Sequence, residues 1–139
     1  MTSIEPEIID RLVATAREIR ANAYAPYSGF HVGAALLGGD GRVFAAVNVE
    51  NASYPVSVCA ERNAVAMAVA AGVRDLRAVA VVTDAETPTP PCGGCRQVLN
   101  EFGEGMAVIA ESADGSSRKH WALGELLPDA FGPRDLAEA

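Results

Sequence analysis

Residues 76–110, LRAVAVVTDAETPTPPCGGCRQVLNEFGEGMAVIA, decide the fold. Leu76 to Val82 is short and dense in alanine and valine, as expected of a strand covered on both faces. Thr87 to Pro91 is a proline-rich loop, since proline has no N–H to give to a ladder or a helix interior. Cys92 to Phe102 then predicts a helix closed by Gly103, and Met106 to Ala110 predicts a second buried strand. Strand, helix, strand in this order implies a right-handed parallel crossover.

Toward the N-terminus, Cys59 to Ala71 is alanine-rich and ends at Gly72, which predicts a helix whose small residues pack closely on a sheet. His31 to Leu37 and Arg42 to Val49 read as a hairpin about Gly38-Gly39-Asp40-Gly41. That glycine run is a turn; it lacks the strand-to-helix setting of a phosphate loop. From Ile4 to Ala23, apolar Ile8, Leu12, Ala16 and Ile19 recur at helical spacing, with acids early and Arg17 and Arg20 late, matching the macrodipole. Tyr24-Ala25-Pro26-Tyr27-Ser28-Gly29 breaks that helix. Toward the C-terminus, Asp114-Gly115 predicts a turn into a weak strand at Arg118 to Leu123, and Gly124 to Leu127 a short helical turn stopped by Pro128. The expectation is one domain over residues 1–139, α/β in class: a three-layer α/β/α sandwich around a mixed five-stranded sheet.

Half of the 139 residues are hydrophobic, which suits one packed core. A formal net charge of -7 argues against a surface built to grip a phosphate backbone, and Arg118-Lys119 is the lone local basic pair, read as ordinary surface. The apolar runs are shorter than the roughly 20 residues that span a bilayer, and the first residues carry acids where a signal peptide carries bases. These features predict a cytoplasmic protein with neither nucleic-acid nor membrane partners.

Three cysteines, an odd number for a disulfide framework, fall in two clusters, Cys59 and Cys92-Gly93-Gly94-Cys95. Each cluster opens a predicted helix, where the positive end of the dipole lowers the cost of a thiolate. Three sulfurs at about 2.3 Å from a tetrahedral zinc leave one position for water, whose pKa falls to about 7 in such a site. Neither His31 nor His120 lies near the clusters in sequence to close the shell. Glu61, two residues after Cys59, reaches the same point if the helix end faces the metal, and a carboxylate there suits proton transfer. Cysteines as small buried hydrophobes, a dithiol redox pair at Cys92 and Cys95, and a zinc that only ties two helices together remain alternatives.

Cys59-Ala60-Glu61-Arg62, Pro91-Cys92 to Cys95-Arg96-Gln97-Val98 and Asn48-Val49-Glu50-Asn51-Ala52 together resemble the small cytidine deaminase family. The likeness runs from Tyr24-Ala25-Pro26-Tyr27-Ser28 to Leu126-Leu127-Pro128-Asp129-Ala130-Phe131-Gly132, nearly the whole chain. It implies hydrolysis of cytidine or deoxycytidine to the uridine product and ammonia, by hydroxide on one zinc ion per subunit, with Glu61 as proton carrier. By the same resemblance Asn48 and Glu50 bind the ribose, Phe30 packs on the base, Ala60 belongs to the substrate site and Arg62 offsets excess thiolate charge. A homotetramer with shared active sites is also implied, Tyr54 and Phe131 reaching the ligand from neighbouring chains. Pro90 stands where many relatives carry serine, and Tyr54-Pro55 where others have Tyr-Gly. Related antibiotic deaminases lack the Asn-x-Glu-Asn segment in this form, so its presence favours ordinary nucleosides. Without the resemblance, Asn48 and Glu50 read equally well as outward-facing strand residues, and Phe30, Tyr54 and Phe131 as core or interface aromatics. Tyr24 and Tyr27 read as structural, and Trp121, His31 and His120 as packing or surface.

Overall fold

A computed structural model describes residues 4–136. Helix α1 (Pro6–Ile19) starts on proline, which tolerates the first helical turn because its missing N–H has no partner there. The hairpin β1 (Val32–Gly38) and β2 (Val43–Val47) follows, then α2 (Ala60–Ala70) and β3 (Leu76–Thr83). Helix α3 (Gly93–Asn100) crosses to β4 (Ala107–Glu111), and β5 (Arg118–Ala122) leads into a single turn, α4 (Leu123–Leu126). The sheet order is β2-β1-β3-β4-β5, with β3 and β4 parallel and every other pair antiparallel. This is the predicted mixed five-stranded sheet.

Strand alternation divides the core into two layers. Ala35, Leu37, Ala78, Ala80, Val82 and Ile109 face α1, which buries Leu12, Val13 and Ala16 against them. Leu36, Val79, Val81 and Val108 face the opposite way, onto Ala64, Val65 and Ala68 of α2 and Leu99 of α3. Alanine in the strands lets helices approach closely, and Gly33 marks the tightest point: a Cβ there would lie 2.0 Å from the Ala16 carbonyl oxygen. Fully burying a leucine such as Leu12 or Leu99 contributes about 2 kcal/mol relative to exposure.

Three local expectations change. The first helix does not run to Ala23; its end tightens to a 3-10 turn at Arg20–Asn22, which lets Tyr24 bridge to Val49 through hydrogen bonds of 3.0 and 2.9 Å. Gly103 is not a left-handed cap; it is needed because a Cβ would stand 2.4 Å from the Leu76 carbonyl oxygen. Arg118 is exposed as expected but is not idle surface, and Arg17 does more than match the macrodipole. Both grip the buried carboxylate of Glu111, Arg118 also pairs with Asp10 at 2.8 Å, and Arg17 donates to the carbonyls of Ser112 and Ala113. The network pins α1 to the β4–β5 turn. Gly41, Gly72 and Gly115 do take positive φ, where a side chain would be strained.

Candidate metal and nucleoside site

Cys59 and Cys92 are the N-cap residues of α2 and α3, both with extended backbone, so each helix starts immediately after a sulfur. Neither cap makes a side-chain hydrogen bond to its helix, which leaves the first-turn N–H groups and the dipole free to favour negative charge. Cys95, one turn into α3, turns back to the same point and is buried, while Cys59 is half-buried and Cys92 exposed. The Sγ atoms of Cys59 and Cys92 lie 4.0 Å apart, those of Cys92 and Cys95 3.4 Å, and all three fall within 4.8 Å of one another. Tetrahedral zinc with sulfur at 2.3 Å asks for sulfur–sulfur edges of about 3.8 Å, so the donor set fits. Among the described residues no histidine or carboxylate ligand atom joins the three within that distance. The site is open rather than closed.

Thiol chemistry agrees with the geometry. The neighbouring Cys95 thiol brings the Cys59 pKa down to about 6, with Cys92 and the charge of Arg62 helping against burial. Cys95 is pushed the opposite way, first by Cys59 and then by burial. Arg62 is exposed and acts on Cys59 through its charge. Glu61, in the first turn of α2, is 5% exposed; burial raises its carboxyl to about 7, and the Cys59 charge adds to the rise.

A cavity of 320 Å³ opens over the sulfurs. Cys59, Ala60, Glu61 and Cys92 form one end, and Phe30, Asn48 and Glu50 line it too, so seven of the predicted residues share one space. Sequence reasoning missed Ser28, Thr83 and Thr89, which bring three hydroxyls to the lining, and Pro90, which stands where a serine was expected of relatives. The signal for Ser28 was local: it lies in the Tyr24–Ser28 motif, read as a mere helix breaker.

Asn48 and Glu50 do not simply point outward from a strand. The Asn48 amide accepts from Val32 N–H at 2.9 Å and donates to the Phe30 carbonyl at 2.8 Å. Glu50 accepts from the backbone N–H groups of Tyr27 and Ser28, each at 3.0 Å, and from the Ser28 hydroxyl. These bonds, the Ser28 hydroxyl foremost, hold its pKa below the ordinary carboxylate value. An amide has two N–H donors and a carboxylate about four acceptor positions, so Asn48 keeps one donor and Glu50 one acceptor for a ligand.

Tyr54 and Phe131 lie outside this cavity in the single chain. Tyr54 is 69% exposed and its ring meets Tyr27 at 5.8 Å, beside a second cleft of 240 Å³ that shares Ser28 and Glu50. Phe131 is 58% exposed, and its carbonyl accepts from Gln97 at 2.7 Å. Arg96 donates to the Pro91 carbonyl at 2.7 Å and to that of Leu126 at 2.8 Å, bracing the residue before Cys92.

Residues 6–111 match the family described as the cytidine and deoxycytidylate deaminase zinc-binding region. A cytidine deaminase of Sporosarcina psychrophila is 45% identical over 132 residues, covering 94% of this chain and 96% of that protein. One from Mycobacterium tuberculosis is 45% identical over 125 residues, 90% of each chain. Among solved structures, cytidine deaminase from Burkholderia pseudomallei is 46% identical with a TM-score of 0.84, covering 88% of this chain and 98% of that one.

Proposed function

The chain belongs to the cytidine and deoxycytidylate deaminase zinc-binding family, an enzyme family, and on that premise we propose that it hydrolyses the free nucleosides cytidine and deoxycytidine to their uridine products and ammonia. Zinc-dependent deamination of a cytidine-like base is the general activity; the choice of free nucleoside and the residue roles go beyond it. The observation that carries it is a three-sulfur cluster, two of whose cysteines line one 320 Å³ cavity together with a buried carboxylate and an amide–carboxylate pair.

Cys59, Cys92 and Cys95 would hold the zinc, which would supply Lewis acidity at this end of the cavity. The chain's own residues do the rest. Glu61 takes a proton from the attacking water and delivers it to N3 of the base, then takes the remaining proton of the new C4 hydroxyl and passes it to the amine, which leaves as ammonia while the C4 carbonyl forms. Its burial keeps bulk water away from that proton path. The face of Phe30 and the apolar walls of Val32 and Val81 suit a flat base, and Ala60, beside the sulfurs, abuts the same space.

At the sugar end, the free donor of Asn48 and the free acceptor of Glu50 together match one hydroxyl, which accepts from the first and donates to the second. One hydroxyl read in this way does not distinguish a ribose from a deoxyribose. No lysine or arginine lines the cavity among the described residues, and the Glu50 carboxylate repels phosphate. Free nucleoside is therefore favoured over nucleotide.

The reading extends to a homotetramer in which Tyr54 and Phe131 complete neighbouring sites. Its support is the exposure of both rings and an open apolar groove of 630 Å³, with Val49 and Met67 in its lining, along β2 and α2. No helix among the described residues is long and apolar enough to cross a membrane.

An ultraviolet assay with cytidine, deoxycytidine, cytosine and cytidine monophosphate tests the proposal. Turnover of both nucleosides with little on the base or the monophosphate supports it. Preference for the monophosphate overturns it.

A further inference from the structure

The carboxyl end of β3 is bonded to two segments that border the cavity. Thr83, 2% exposed, donates its hydroxyl to Thr89 at 3.3 Å and accepts from Ala85 N–H at 3.0 Å, tying the strand end to the proline loop that carries Pro90 and Cys92. The next residue, Asp84, bonds to the segment that carries Phe30. One of its carboxylate oxygens accepts from the backbone N–H of His31 and contacts that residue's Nδ1, both at 2.8 Å. Arg20, from the turn after α1, donates to the Thr83 carbonyl and lies 3.8 Å from the second Asp84 oxygen. His31 sits between Phe30 and Val32, two lining residues, so the segment that presents Phe30 is fastened on both sides: by Asn48 to the Phe30 carbonyl and by Asp84 to the His31 N–H.

The geometry points to Asp84 as a positioning residue that, through His31, fixes the Phe30 wall against the proline loop and so sets the width of the slot for the base. This deepens the proposed nucleoside reading and rests on it. Asp84 is itself neither a lining residue nor a member of the sulfur cluster, so its effect is expected in substrate binding rather than in the chemical step. Two of its bonds act on one residue with unequal leverage. The backbone bond holds the chain itself, whereas the ring bond only steers the imidazole.

The variants Asp84→Ala, Asp84→Asn and His31→Ala separate these roles. Losing a bond to a charged partner costs on the order of tenfold, so Asp84→Ala is expected to raise KM for cytidine roughly tenfold with kcat and zinc content unchanged. Asp84→Asn keeps an acceptor for the His31 N–H and recovers most of the loss. His31→Ala removes only the ring bond and moves KM less than Asp84→Ala does. A fall in Tm with unchanged KM, or a fall in kcat alone, overturns the assignment. Absence of cytidine turnover in the unaltered protein instead overturns the nucleoside reading, so the two failures are distinguishable.

Discussion

The sulfur of Cys59 lies 4.0 Å from that of Cys92, although 33 residues separate them and each opens a different helix. The distance follows from topology. Helices α2 and α3 pack on the same face of the sheet, and both begin beyond the carboxyl end of β3, where open α/β sheets place their ligands. Two helix dipoles and the charge of Arg62 then act on one cluster of thiols.

Replacing Cys92 with Ala leaves two sulfurs. Zinc measured by elemental analysis is expected to fall well below one per chain, and thermal unfolding to begin earlier, because a ligand that binds only the folded state stabilises it by mass action. Full zinc content in Cys92→Ala contradicts the ligand set.

Glu61→Gln preserves shape and removes the proton-accepting carboxylate. The expected result is kcat lower by roughly 10² to 10⁴-fold, the range for general acid–base residues, with zinc content unchanged. Steady-state kinetics alongside metal analysis reads both.

Asn48→Ala removes the free donor together with the two bonds to the Phe30 carbonyl and Val32 N–H. It should raise KM for cytidine by roughly tenfold or more and also lower Tm, since each lost bond inside the fold costs about 1 kcal/mol. Glu50→Gln should raise KM with a smaller change in Tm, because an amide oxygen still accepts from the backbone of Tyr27 or Ser28. A KM left unchanged by both substitutions rules out the sugar-binding assignment.

Glu111 lies 7% exposed between Arg17 and Arg118. Arg118 keeps Asp10, and Arg17 keeps the Ser112 and Ala113 carbonyls, so Glu111→Ala is expected to cost about 2 kcal/mol, the range for lost bonds to charged groups. A lower urea midpoint with unchanged slope, and retained kcat below the transition, is the predicted pattern.

The Ser116 hydroxyl and N–H, with the Ser112 hydroxyl, hold the Asp114 pKa at about 2, below its ordinary value of 3.8. A carboxyl depressed in the folded state contributes stability that is fully present above its unfolded pKa and disappears as pH falls through the folded one. Asp114→Asn should therefore flatten the stability profile between pH 3.8 and about 2. Urea titrations at several pH values across that window measure the slope.

Order and type of the elements were legible because alanine- and valine-dense runs alternate with helical spacing and are separated by glycine and proline. The cysteine cluster and Glu61 beside it were legible because helix starts are readable and three cysteines leave few ways to pair. The roles of His31, Asp84 and Thr83 were not, since their bonds join positions distant in the chain: 53 residues separate His31 from Asp84. The pairing of Arg17 and Arg118 was hidden for the same reason, since Glu111, which both reach, lies 94 residues from Arg17. Asn48 and Glu50 showed their residue types but not that the Tyr27–Phe30 segment already takes three bonds of Glu50 and one N–H of Asn48.

Zinc-edge X-ray absorption on the purified protein tests the central claim most directly. The prediction is three sulfur neighbours at about 2.3 Å and one oxygen neighbour. Four sulfurs, a nitrogen completing a closed protein shell, or fewer than three sulfurs around the metal would contradict it.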